Sequence, residues 1–185
     1  MLYIWQDRLS LAEEYDWSKL LKFKFGKLFN NRVKQYNFKL LHRILPYKEN
    51  LVRWKITSDM TCNHCKQIET LDHVLLHCPQ VDLFWQTLSY FIKSQFNVNI
   101  QINEKTLLIG HDVENENMAF LNVILVFAQY TIYRVYMLVH FTFKKFSYFS
   151  LLSDFKRELV INLRFLEKSN KIKITEKQYN EIKRL

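Results

Sequence analysis

Glycine and proline are almost missing from this chain, with two of each in 185 residues. Both residues punctuate turns and sheet bends, so their scarcity favours long helices over a strand-rich fold. The expected fold class is mainly α. Negative charge is also scarce over one long stretch. Between Lys19 and Lys55 the only acid is Glu49, against Lys19, Lys22, Lys24, Lys27, Arg32, Lys34, Lys39, Arg43, Lys48, Arg53 and Lys55. This excess predicts a basic surface suited to a polyanion, because each phosphate contact releases counterions without needing sequence readout. The competing reading is a solvated helix face balanced by acids elsewhere. The sequence has no Asp-Asp pair to hold two catalytic metal ions, no Gly-x-Ser-x-Gly elbow and no glycine-rich phosphate loop. It is expected not to polymerise or cut. The opening MLYIWQDRLSLAEEYDW meets acidic residues too early for a signal peptide. An intracellular location, nuclear or cytoplasmic, follows as an expectation.

Apolar material is abundant: 49% of residues are hydrophobic and 16% aromatic, enough for a buried core. Phe23, Phe25, Phe29, Tyr36, Phe38, Tyr47 and Trp54 interleave with the basic residues at spacings that suit a helix core stripe. Helices are predicted over 13–21 and 27–45, the second closed by Pro46. A third covers 47–55 with Leu51, Val52 and Trp54 turned inward, and a fourth 81–95. Val98, Ile100 and Ile102 alternate as in a short extended segment, and Gly110 marks a turn. Long helices follow over 114–145 and 151–168, then a short basic one over 175–184 with Thr175 as N-cap. The apolar run from Met118 tests for a membrane span, but Asn122, Gln129, Arg134 and His140 interrupt it. A buried core helix is expected instead, with no membrane partner. The natural divide falls near residue 96, giving a cysteine-bearing region 1–96 and a long-helix region 97–185 packed on it.

All three cysteines fall within MTCNHCKQIETLDHVLLHCP, Met60 to Pro79, with three of the six histidines. Cys62-x2-Cys65-x7-His73-x4-Cys78 offers four soft or borderline donors to a tetrahedral zinc ion. The two-residue gap lets backbone amides fold round the first thiolates. Thr70 can cap a short helix that carries His73, with Asp72 in its first turn and Leu71, Val74 and Leu75 facing the core. Cys78 reaches the face of His73 only if the last turn loosens. His77 and His64 compete for the fourth position. His77 would have to converge with Cys78 from the adjacent position, and His64 would have to fold back on its own loop, so His73 is preferred. One structural zinc ion is the expected cofactor. Three buried, satisfied thiols are the alternative, and a nucleophilic Cys78 with His77 or His111 as base is disfavoured by thiolates committed to metal.

Leu41 to Pro46 (LHRILP), the Cys62 and Cys65 pair, Glu69 to His73 (ETLDH), Cys78 with Pro79, and Trp85 together resemble the zinc-binding region that follows the polymerase domain in LINE-type (non-long-terminal-repeat) reverse transcriptases. LLIG at Leu107 to Gly110 and the Tyr130 and Arg134 pair also resemble these elements. The resemblance implies a non-catalytic module that binds RNA or target DNA beside the polymerase domain of its parent element. Lys34, Lys39, Arg43, Arg53 and Lys55 are the candidate phosphate contacts. A zinc-stabilised scaffold docking on that polymerase domain, or an inactive remnant of an element, are the other readings.

Overall fold

A computed structural model describes residues 2–111, 116–142, 147–168, 179, 180 and 182. Among these residues there are eight α-helices and one π-turn, and no strand. The helices are α1 (Leu2–Arg8), α2 (Trp17–Lys24), α3 (Asn31–Leu41), α4 (Lys48–Arg53), α5 (Pro79–Phe96), α6 (Glu104–Ile109), α7 (Glu116–Thr142) and α8 (Tyr148–Lys168), with the π-turn at His73–His77. Of the predicted helix over 175–184, Tyr179, Asn180 and Ile182 are described and are helical, and the rest lies outside the described residues. The only extended pairing among them is one antiparallel bridge, Thr61 to Ile68.

Local chemistry sets where each helix begins. Asp16 caps α2 by accepting from Ser18 N and Lys19 N, and Asn30 caps α3 by accepting from Val33 N. Helix α2 therefore starts later than the periodicity suggests. Helix α3 stops at Leu41, well before Pro46. Arg43 N donates to Leu40 O and Ile44 N to Lys39 O, with Arg43 at φ 54°. These two bonds form a Schellman cap, a role glycine usually fills. Helix α4 ends the same way: Lys55 N donates to Val52 O and Ile56 N to Leu51 O, with Lys55 at φ 61°. With so few glycines available, Ser10, Arg43, Lys55, Lys66 and Asn97 all take the left-handed region.

Two expectations fail here. The segment after α5 is not a strand: Val98, Ile100 and Ile102 are partly buried against the core in irregular backbone, and α6 follows. Asn103 accepts from Thr106 N and its own N–H donates to the Thr106 hydroxyl, a reciprocal box that starts α6. Trp54 is not turned inward but is 39% exposed. It sits at the C-cap of α4, past the last turn whose inner face Leu51 occupies.

Helix α7 is the core. It is long and apolar enough to cross a membrane by length and composition, yet 78% of its apolar window is buried inside the protein. Neighbours cover it on several sides. Helix α8 presents Leu151, Phe155, Leu159 and Leu163, all fully buried at a spacing of four, and Phe84 of α5 meets Phe155 edge-on. From α3, Tyr36 packs at a tilt against Tyr133, and Phe29 just ahead of that helix meets Phe127. Two buried amides on α7, Asn122 and Gln129, are satisfied within the fold. Asn122 bonds both the N–H and the carbonyl of His111, and Gln129 donates to Leu107 O. Gly110 lies directly against Asn122, at φ 80°.

Candidate metal centre

The loop from Thr61 to Ile68 closes on itself. Cys62 N donates to Gln67 O, Lys66 N returns to Cys62 O, and Lys66 takes the left-handed conformation that turns the chain. This tight reversal brings Cys62 and Cys65 to one side, and His64 N points at Cys62 Sγ, 3.5 Å away.

The second pair depends on the π-turn. Thr70 Oγ1 accepts from His73 N, capping a short helix, which then widens so that Cys78 N bonds His73 O. An α-helical turn would place residue 78 well round the axis from residue 73, whereas an i to i+5 bond restores both to one face. The loosening that the spacing demanded is thus a π-turn. It leaves the Leu75 carbonyl available, and the buried indole of Trp85 donates to it at 2.7 Å. Pro79 does not merely stop a helix: it occupies the first turn of α5, with Cys78 as the N-cap residue.

The donor atoms of Cys62, Cys65, His73 and Cys78 all lie within 4.8 Å of one another, and Cys65 Sγ is 3.3 Å from His73 Nε2. A tetrahedron built on metal–sulfur bonds of about 2.3 Å has edges of about 3.8 Å, so the four donors need move little to share one ion. Three of the four are buried, and no disulfide joins the cysteines. Cys62, His73, Cys78 and the neighbouring Val81, Ile132 and Tyr136 help line a small, partly open cavity of about 20 Å³, about the size of one water or ion. The group can hold a metal ion. The Cys78 thiol donates to the Cys62 sulfur, and the His64 and Cys65 amides add to this, pushing Cys62 down toward thiolate while Cys78 is pushed up. Thiolate is the ligating form. His77 and His64 are both exposed and do not join the four. His77 lines a separate cleft of about 440 Å³ with Asp82, Trp85 and Asn103.

Glu69, which sequence reasoning placed only within a motif, ties this centre to the fold. It is buried, and its carboxylate accepts from Lys48 N at 2.9 Å and from the Tyr136 hydroxyl, while its carbonyl accepts from Glu49 N. Tyr47, the N-cap residue of α4, makes no side-chain cap. Glu69 caps α4 from across the loop instead, a favourable place for a carboxylate. The signal for it was an acid beside the hydrophobic run, with no partner visible in sequence.

The basic residues are distributed more widely than one patch. Lys24 and Lys48 are buried, so they leave the surface set. On α3, at 100° per residue, Lys39 falls beside Arg32 on one flank of the buried stripe, about 140° round from Lys34, which shares the other flank with exposed Phe38. Arg43 and Arg53 both lie near the Tyr47 hydroxyl, and Arg43 also covers the Trp5 ring at 5.6 Å. Lys55 is exposed at the end of α4. None of Lys34, Lys39, Arg43, Arg53 and Lys55 forms an ion pair among the described residues.

Residues 4–85 match the family described as zinc-binding in reverse transcriptase. The match takes in most of α1, α2 to α4, the loop, all four donors and Trp85, somewhat less than half of the chain. The likeness is to zinc-binding regions of reverse transcriptases and does not single out one kind of element. No curated protein and no solved structure matches the chain.

Proposed function

We propose that this chain is a non-catalytic, zinc-binding and nucleic-acid-binding module of a LINE-type reverse transcriptase, which helps hold template RNA or target DNA for the polymerase. The observation that carries it is the convergence of Cys62, Cys65, His73 and Cys78 inside a segment that matches reverse-transcriptase zinc-binding regions. Three sulfurs and one imidazole suit zinc better than harder ions. A bound zinc ion would crosslink the loop to the π-turn, making its binding energy folding energy. Lys34, Lys39, Arg43, Arg53 and Lys55 are the proposed phosphate contacts. Their spread over several faces fits a strand that wraps the module better than one that lies along a single stripe. The polymerase domain of the parent element is the proposed protein partner, and the nucleus or cytoplasm the proposed compartment.

The test has two steps. Protein purified without added zinc is expected to carry one zinc per chain by elemental analysis, lost in His73→Ala and kept in His77→Ala. Binding of the loaded protein to RNA and DNA oligonucleotides is then measured from 50 to 200 mM salt. A steep linear fall of log affinity with log salt is expected, as phosphate contacts require. A flat response would favour the scaffold reading instead.

A further inference from the structure

Tyr130, Tyr133, Arg134, Met137 and Leu138 line an open cavity of about 280 Å³ on α7. It lies far from the cysteine loop in sequence, beyond residue 85. The two phenol rings are held in place from behind. Tyr36 of α3 packs at a tilt against Tyr133 with ring centroids 5.3 Å apart and meets Tyr130 edge-on at 5.9 Å. A pre-ordered aromatic wall loses little entropy when a flat ligand settles on it.

The guanidinium beside it has capacity to spare. Arg134 Nη2 lies 3.8 Å from Asp154 and 3.9 Å from Glu158, beyond hydrogen-bond reach, and Asp154 is engaged by Arg157. Arg134 Nε and Nη2 are buried with no hydrogen-bond partner. Buried unpaired donors on a cation are costly and mark a place where an acceptor belongs. Two further cations share the α3 face of Tyr36, which backs the wall. Arg32 and Lys39 fall four residues before and three after Tyr36 on one face of α3, roughly 10 Å apart along its axis. The Tyr130 phenol lies within electrostatic reach of Arg32, Arg134 and Glu158. Arg134 thus lines the cavity, Arg32 lies near its Tyr130 wall, and Asp154 and Glu158 sit beside the Arg134 guanidinium.

Aromatic faces with spaced cations and an unmet guanidinium are the features that bind single strands: rings stack unpaired bases and cations follow the backbone. We infer that the α3–α7 face is a stacking site for an unpaired base of single-stranded nucleic acid, with Tyr133 and Tyr130 under the base, Arg134 donating to it or its phosphate, and Arg32 and Lys39 guiding the strand. This rests on the proposed nucleic-acid binding and adds to it a preference for single strands over duplex, because a paired base cannot reach a recessed wall.

The experiment uses the full zinc-loaded chain and a 12-nucleotide single-stranded RNA carrying one 2-aminopurine, with the matching duplex as control. The parent is expected to bind the single strand at least tenfold more tightly than the duplex and to quench the 2-aminopurine. Tyr133→Leu is expected to lose about tenfold in single-strand affinity and most of the quenching, with duplex affinity unchanged, while Tyr133→Phe keeps both. Leu138→Glu, at a residue 49% exposed on the rim, tests the same site without touching the core and is expected to weaken single-strand binding similarly. If the parent binds single strands but both Tyr133→Leu and Leu138→Glu bind as it does, the stacking site is wrong and the broader function stands. If the parent binds no nucleic acid, both fall.

Discussion

The Tyr136 hydroxyl donates to the carboxylate of Glu69, tying the longest helix to the loop that carries the four donors. The same carboxylate caps α4 through Lys48 N. Burial pushes the Glu69 carboxyl up, more than its hydrogen bonds push it down. The folded state therefore holds this proton more tightly than the unfolded chain, and ionising Glu69 lowers stability as pH rises above the ordinary carboxyl range. Glu69→Gln keeps an acceptor for both donors without the charge. It is expected to equal or exceed the parent in urea unfolding at pH 7, with the difference shrinking toward pH 4. Glu69→Ala strands two buried donors and is expected to cost about 2–4 kcal/mol and to lower metal retention under chelator challenge.

The left-handed positions give a second prediction. Lys55 closes α4 at φ 61°, where a side chain costs about 1–2 kcal/mol over glycine. Lys55→Gly relieves that strain, offset by a few tenths for a lost cation at a helix C-terminus and by the freer unfolded chain. A net gain of about 0.5 kcal/mol is expected in thermal unfolding. Under the proposed function the same change reduces the salt slope of nucleic-acid binding by about one phosphate contact. A gain in stability without a change in slope would assign Lys55 to capping alone.

Much of this was legible in the sequence. The scarcity of glycine and proline predicted helices, and the Cys62, Cys65, His73 and Cys78 spacing picked out the donors that the fold brings together. Even the need for a loosened turn between His73 and Cys78 could be read, because five residues overshoot one α-helical turn. What stayed hidden was tertiary. Periodicity ran α3 on to Pro46 because it cannot see that Arg43 will accept a left-handed backbone, or that buried Asn50 will hold the Arg43 and Leu45 carbonyls of that turn. Alternating Val98, Ile100 and Ile102 looked like a strand, since partial burial gives the same pattern in a coil. The Asn103 and Thr106 pair that starts α6 was visible and was missed. Lys24 and Lys48 were counted with the surface because composition assigns lysine no depth.

Gly110 supplies a third prediction. A Cβ there would lie 2.7 Å from Asn122 Oδ1, and its φ of 80° already disfavours side chains. Asn122 cannot easily give way, because it holds both backbone groups of His111 at 2.8 Å. Gly110→Ala is expected to cost about 2–3 kcal/mol, through strain and displacement of that amide. Asn122→Ala is expected to cost a similar amount, and the double variant less than the sum, since both break one contact. Additive losses in urea unfolding would separate the two roles.

Lys24 gives the last. It is 2% exposed, and its Nζ reaches only the Leu107 carbonyl, at 3.3 Å, which Gln129 also uses. It forms no ion pair among the described residues. Burial pushes its ammonium down to about 7 from 10.5. The unfolded chain binds this proton more tightly than the folded one, so protonation opposes folding. That opposition is complete below pH 7 and fades as pH rises toward 10.5, where both states are neutral. Lys24→Met fills the same space without the charge or the unmet donors. It is expected to stabilise the protein by a few kcal/mol at pH 6.5, with the gap closing steadily by pH 9.5. Urea unfolding of both proteins across that range measures the gap directly. A gap that stays constant with pH would mean that Lys24 keeps its proton in the fold and that its ammonium finds more solvation than one carbonyl offers.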